Sequence, residues 1–473
     1  MGNPDAVVVG AGPNGLVAAV TLARAGWHVM VLEAAATPGG GLRTAALTDT
    51  GFLHDVCAAV HPLALASPAF GALPLAEHGV RWISPAVPLA HPLDRDRAVL
   101  LERSVDDTAL RMGTDRPAYR SLFEPFVEHG QAIVDGLLSP LSVPRAPVPL
   151  ARFAWSALRS ADRLARARFA TEEPRALLAG MASHSMLRLD ARGTAGYGTF
   201  LGMLGHLVGW PLVEGGSQRL ADALVAILRA HGGEIVTSTE VTSLDELPPA
   251  RAIVLDVTPR QLLRIAGERL PDGYVRALRR FRYGPGAFKI DWALDGPIPW
   301  AASEVATAAT VHVGGTIDEI AASEAAVQAG RHAERPFVIL VQPSGFDASR
   351  APAGKHAVWA YCHVPHGSDV DQTEAIERQI ERFAPGFRDR VIARHTMNPL
   401  GLEAYNANYV GGDIIGGAGD LRQLVTRPVI STHPWRTPLP GVYLCSSSTP
   451  PGGGVHGMCG WHAARAVLRR ENH

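Results

Sequence analysis

The stretch from Ala6 to Glu33, AVVVGAGPNGLVAAVTLARAGWHVMVLE, leaves a chain few folds to choose from. AVVVG is a short β-branched run of the kind that fills a parallel strand buried on both faces. Gly10, Gly12 and Gly15 follow with GxGxxG spacing, and Leu16, Ala19, Val20 and Ala23 then recur at helical intervals. WHVMVLE reads as a second strand ending on Glu33, so the segment is a βαβ unit. Each glycine answers a separate demand: the first permits a tight turn, the second lets a pyrophosphate reach the backbone, and the third lets helix and strand pack closely. The helix N-terminus, holding Pro13 and Asn14, then turns free N–H groups toward the phosphates. Glu33 stands 18 residues past Gly15, where a carboxylate accepts hydrogen bonds from both ribose hydroxyls and repels a 2′-phosphate. The spacing predicts an α/β chain that binds a dinucleotide.

TPGGGLRT, Thr37 to Thr44, decides which one. A nicotinamide domain does not usually follow its ribose acid with a second glycine cluster, whereas the longer pyrophosphate-ribityl arm of FAD needs more bare backbone and a cation. Gly39, Gly40 and Gly41 supply the backbone and Arg43 the cation. No second GxGxxG unit with its own acid occurs, so a dedicated NAD(P)H domain is not expected.

At 473 residues the chain is too long for one core and predicts two domains. A formal charge of -1 gives no long-range field that would favour DNA, RNA or an anionic membrane. Cys57, Cys362, Cys445 and Cys459 lie far apart and form no CxxC pair, which argues against a metal site or disulfide framework and suits a reducing cytoplasm. The chain reaches its first strand by Ala6, leaving no room for a signal peptide, and carries no run of 18 uninterrupted apolar residues, so a soluble protein is expected.

Five motifs, VVVGAGPNGLVAA, PGGGLRT with GFLHDVCAAVHP, GWPLVEGGSQRLADALVAILRAHGGEI, GPGAFKIDWALDGPIPW and GVYLCSSSTPPGGGVHGMCGWHAARAV, span nearly the whole sequence. In order and spacing the chain resembles the phytoene desaturase-like, or phytoene dehydrogenase-related, branch of the FAD-dependent amine oxidase superfamily. The resemblance implies a glutathione-reductase-type, Rossmann-like FAD domain built from residues 1–90, 212–285 and 405–473, with a discontinuous substrate domain from 91–211 and 286–404. It implies that the Val241 backbone lies near the adenine. Within the segment 217–244 a helix bearing Leu220, Leu224, Ile227 and Leu228 on one face is expected, closed by Gly232 and Gly233 and followed by a hairpin-like pair of strands.

Two centres of chemistry follow. In PPGGGVHGMCGW, Gly452, Gly453 and Gly454 free the backbone and the helix beginning near Gly457 aims its amides at a ligand. In the resembling flavoproteins that ligand is the isoalloxazine ring, which places Gly453, Gly454, Val455 and Met458 against it. His456 is a candidate acid or base, and Cys459 reads as packing. In GAFKIDWAL, Phe288, Ile290 and Trp292 share one face of a strand and Lys289 and Asp291 the other. The chain has only two lysines among its 44 basic residues, Lys289 and Lys355, so a lysine here is a choice. By resemblance Lys289 holds a water against flavin N5; the competing reading is a strand lysine paired with a carboxylate.

The segment 176–216 is apolar, rich in small residues and carries Met181, Met186 and Met203, which suits a chamber for a mostly apolar molecule. The segment 141–170 mixes Phe153, Trp155, Leu158 and Leu164 with five arginines from Arg152 to Arg168, a stretch that can lie on a membrane surface. The expected activity is an FAD-dependent oxidoreductase, a desaturase, dehydrogenase or oxidase passing a hydride from a C–C or C–N bond to flavin N5. A redox-neutral flavin isomerase and a non-enzymatic lipid-binding protein of the same fold stay open beside it. Oligomeric state and electron acceptor are not written in the motifs.

Overall fold

The run AVVV forms β1, Ala6–Val9, buried throughout, and the next apolar run forms β2, Val29–Leu32. Between them lies α1, Pro13–Arg24, with Gly12 at its N-cap and Pro13 in its first turn, where the missing N–H is no loss. These elements belong to a computed structural model that describes residues 3–140 and 146–471. The other principal strands are β3 Val87–Leu93, β4 Arg97–Leu101, β5 Glu234–Val236, β6 Ala252–Leu255, β7 Gly286–Leu294, β8 Ala308–Val313, β9 Val338–Val341, β10 His356–Val364, β11 Val391–Met397 and β12 Val442–Leu444.

Five of them make a wholly parallel sheet in the order β12–β6–β1–β2–β5, drawn from three distant parts of the chain. Its carboxyl edge gathers Gly10 after β1, Glu33 after β2 and Asp256 after β6, the place where open α/β sheets bind ligands. The second sheet, β11–β7–β10–β9–β8–β3–β4, is antiparallel except where β8 meets β3. Because β3 belongs to it, this strand crosses the domain boundary expected at residue 90.

The alternation in β7 sorts its two faces. Phe288, Ile290 and Trp292 enter a core with Val338, Leu340 and Phe387, while Lys289 and Asp291 point the other way. Four further helices matter to the site: α2 Glu172–Ser183, α3 Gln218–Ala230, α4 Ile317–Gln328 and α5 Met458–Glu471. In α3, Leu220, Leu224, Ile227 and Leu228 are buried together as the periodicity requires. The hairpin expected after it does not form. β5 is a single strand parallel to β2, and the chain beyond bends at Ser238 (φ 54°), so that Ser238 and Thr239 donate to the carbonyls of Ala35 and Glu33 instead of to a partner strand. Among the described residues no helix is long and apolar enough to cross a membrane.

Candidate functional site

The glycine loop after β1 is built as tightly as its spacing demands. A Cβ on Gly15 would stand 2.1 Å from the Gly10 carbonyl oxygen, and Gly10 has φ 99°, which a side chain rarely tolerates. Glu33 is bound into this loop: one oxygen accepts the Ala11 N–H at 2.7 Å, the other the Ala35 N–H at 2.8 Å and the Arg43 guanidinium at 3.2 Å. Arg43 therefore faces the acid, with its Nε on the Thr37 carbonyl and its plane 5.2 Å from the Tyr405 ring centroid. The Gly40–Gly41 turn closes onto the loop, since a Cβ on Gly40 would meet Gly12 Cα at 3.0 Å. Val241 is buried with Val9, Leu32 and Leu255, at the same sheet edge.

The C-terminal glycine loop arrives at the same place. In α5, a Cβ on Gly460 would sit 1.9 Å from the Asn14 carbonyl oxygen, so the last helix rides directly on the first turn of α1. Asn14 donates to Ser447 Oγ at 3.3 Å and its buried Oδ1 has no partner. Gly453 and Gly454 are exposed in a chain end that is otherwise mostly buried, while Val455 is half-buried and Met458 fully so. His456 shapes this loop: its Nδ1 accepts the Met458 N–H at 3.0 Å and its Nε2 bonds the Gly452 carbonyl at 3.2 Å. Burial lowers its pKa to about 4, so the ring is neutral, and both nitrogens are committed inside the loop. Cys459 packs as expected, its thiol near the Thr449 and Gly452 carbonyls and raised by burial to about 11.

Lys289 is buried and paired with Asp291 on its own strand, and its ammonium lies 5.6 Å from the Trp359 ring centroid. The competing reading of the strand, a lysine with a carboxylate, describes this pair. Burial disfavours ionisation of Asp291, but Lys289, His395 and His54 together outweigh it and hold the pKa below the usual carboxylate value. His54 and His395 approach the same carboxylate at 3.5 Å each. Burial raises the Cys57 thiol, opposed only in part by the Tyr409 hydrogen bond and the nearby Lys289 ammonium, and Cys57 Cβ flanks Gly41. The lysine thus belongs to the wall beyond the second glycine cluster. A cleft of ≈ 600 Å³ opens beside it, lined by Arg43, Thr44, Gln218, His395, Met397 and Tyr405; His395 and Met397 are the cross-strand partners of Asp291 and Lys289.

Several residues here carry no signal in the sequence. The loop after residue 404 folds over the cradle: Tyr405 OH donates to the Gly40 carbonyl at 2.9 Å, and Tyr409 OH would meet a Cβ on Gly41 at 2.4 Å. Asp413, fully buried, accepts N–H groups from Gly284, Ile415, Gly416 and Gly417 and so fixes that loop. On the sheet face that bears Lys289, His363 holds Glu324 of α4 through Nδ1 at 2.9 Å and leaves a buried Nε2 without a partner. Beyond it His312 bonds His184 at 3.0 Å.

The bare loops, the buried acid and the unpartnered Asn14 oxygen fit a dinucleotide. Comparison with known proteins agrees. Residues 8–70 match the family model of an NAD(P)-binding Rossmann-like domain. The chain is 28% identical to the pyridine nucleotide-disulfide oxidoreductase domain-containing protein 2 of Rattus norvegicus, over 98% of this chain and 93% of that protein. Among solved structures it is similar to an oxidoreductase from Methanosarcina mazei, with TM-score 0.65 and 17% identity over 98% of this chain and 100% of that one. It is likewise similar to cyclohexylamine oxidase from Brevibacterium oxydans, with TM-score 0.62 and 16% identity over the whole of both chains. These likenesses establish a Rossmann-type α/β fold shared with the amine oxidases.

Proposed function

We propose that this protein is an FAD-dependent oxidoreductase of the phytoene desaturase-like branch that removes a hydride and a proton from a C–C or C–N bond of a mostly apolar small molecule. One observation carries the reading: two glycine loops from opposite ends of the chain meet at the carboxyl edge of the parallel sheet, with Lys289 in the wall beyond them. FAD, when bound, supplies the two-electron acceptor. Gly10 and Gly12 would take its pyrophosphate, with Gly15 closing the turn beneath it, Glu33 its ribose, and Gly453 and Gly454 its ring. Asp291 fixes the Lys289 ammonium where it can hold a water at the reacting face. Cysteines that are all free and mostly buried suit a reducing cytoplasm. Peripheral membrane contact is supported by the helix Pro147–Ala157 and the turn after it, where Val148, Trp155 and Leu158 are exposed along one side beside Arg152 and Arg159. The first part of that basic stretch, residues 141–145, lies outside the described residues.

The experiment is to purify the protein, identify its bound cofactor and follow anaerobic bleaching against a panel of apolar natural-product intermediates. A yellow holoprotein bleached by at least one of them is expected; a colourless protein that takes up no FAD overturns the reading. Lys289→Met should keep FAD but slow flavin reduction or reoxidation about tenfold or more. Because that variant leaves a buried carboxylate unpaired, Lys289→Met with Asp291→Asn serves as the folded control, and unchanged rates in both dismiss the role of Lys289.

A further inference from the structure

Asp256 follows β6 directly, at the edge that holds Gly10 and Glu33. Its Oδ2 accepts the Gly15 N–H at 2.9 Å, and a Cβ on Gly12 would come within 2.9 Å of the same oxygen. The carboxyl group therefore lies on the loop whose bare backbone the pyrophosphate needs, across the first turn of α1. Asn408 fixes the residue from behind by donating its amide to the Asp256 main-chain carbonyl at 2.8 Å.

No cation pairs with it among the described residues. The groups facing it from each packed element are Glu33 at the end of β2, Cys445 just past β12 and Cys459 in α5, with Gly15 in α1. Both thiols are raised by burial, so neither offers nor takes charge near neutrality. Arg43, the nearby guanidinium, is turned to Glu33. A charged Asp256 would thus confront a pyrophosphate through low-dielectric interior with nothing to offset the repulsion.

We infer that Asp256 is protonated when the dinucleotide is bound, with Oδ2 still accepting from Gly15 and Oδ1 carrying the proton toward a pyrophosphate oxygen, so that cofactor binding takes up one proton from solvent at this residue. The inference rests on the FAD reading above. Burial, reinforced by Glu33 and only partly opposed by the Gly15 hydrogen bond, already raises the Asp256 pKa to about 7 in the free protein. The cofactor then raises it further. The sign follows: affinity is constant well below pH 7, where the proton is already present, and falls about tenfold per pH unit above it.

The test uses the holoprotein, diluted until FAD dissociates, with released flavin read by its fluorescence between pH 6.5 and 8.5. The wild type should weaken about 25-fold over this range, the loss that a single proton titrating at about 7 produces. Asp256→Asn keeps the shape and a donor without the charge, and its affinity should change less than about threefold. A flat wild-type profile, or the same slope in Asp256→Asn, overturns the inference; Asp256→Ser, also uncharged, replaces the Asn variant if that does not fold. Wild-type protein that holds no flavin at any pH sinks the proposed function itself, whereas flavin held with no pH dependence sinks only the proton at Asp256.

Discussion

At the scale of single residues, the glycines separate into those that shape the cofactor loop and those that let elements touch. Gly460 is of the second kind, because its missing side chain is what allows α5 to rest on the Asn14 carbonyl. Gly460→Ala should cost about 2–4 kcal/mol, as overpacking at a backbone contact does, and should loosen FAD as well because Asn14 adjoins the glycine loop. Chemical denaturation and flavin retention on gel filtration measure the two effects. Gly26→Ala is the comparison, since its Cβ would meet nothing within 4 Å and only the φ of 88° strains it. The spacing in the sequence identified Gly10, Gly12 and Gly15 because three glycines between a strand and a helix have one common use. Gly460 and Asp256 gave no such sign: what each touches is set by segments 446 and 241 residues away in the chain, and neither periodicity nor local turn chemistry encodes that distance.

At the scale of elements, legibility followed patterning. β7 was readable because both its faces are informative, one apolar and packed, the other carrying Lys289 and Asp291. α3 was readable from its leucines. The segment after Val236 was not, because its N–H groups are satisfied by the carbonyls of Ala35 and Glu33, a long-range pairing that β-rich composition alone mimics as a hairpin. The loop over the cradle, from Tyr405 to Gly417, escaped for a related reason: its order comes from one buried carboxylate, Asp413, accepting scattered backbone N–H groups. The helix Pro147–Ala157 presents the opposite case, an apolar side whose Val148, Trp155 and, just beyond it, Leu158 stay exposed among the described residues. Replacing Trp155 and Leu158 together by serine should leave the melting temperature within about 2 °C of the wild type, since both side chains are mostly exposed. The same change should weaken sedimentation with anionic vesicles about tenfold or more, and added salt should weaken the wild type in the same direction by screening Arg152 and Arg159. Equal vesicle binding by the two proteins would remove this helix from any membrane surface.

At the scale of the whole molecule, the most consequential feature is how many histidines are folded away without a charge. Burial lowers His54, His61, His91, His206, His456 and His462 to about 4 and His184 to about 3, with His312 well below its ordinary value. They tie distant segments of the chain: His61 bonds Ser217, His91 bonds the Gly315 carbonyl, His206 bonds Tyr119 and His462 bonds the Leu138 carbonyl. In the unfolded chain each would titrate near 6.5, so between 6.5 and about 4 the unfolded state binds more protons and stability falls as pH falls. Each such residue withdraws about 2 kcal/mol by pH 4.5. Carboxylates held low by cations, such as Glu319, lose their contribution as pH falls from the ordinary 4.5 towards about 2, so their window begins where that of the histidines ends. Melting temperatures should accordingly drop steeply from pH 6.5 to 4.5, before any salt bridge is protonated. His91→Gln keeps a donor for the Gly315 carbonyl but cannot titrate, and the gap between its stability and that of the wild type should shift in its favour by about 2 kcal/mol on going from pH 7 to pH 4.5. A gap that stays constant across that range would mean that His91 is protonated equally in folded and unfolded chains, and that the acid sensitivity of this structure arises elsewhere.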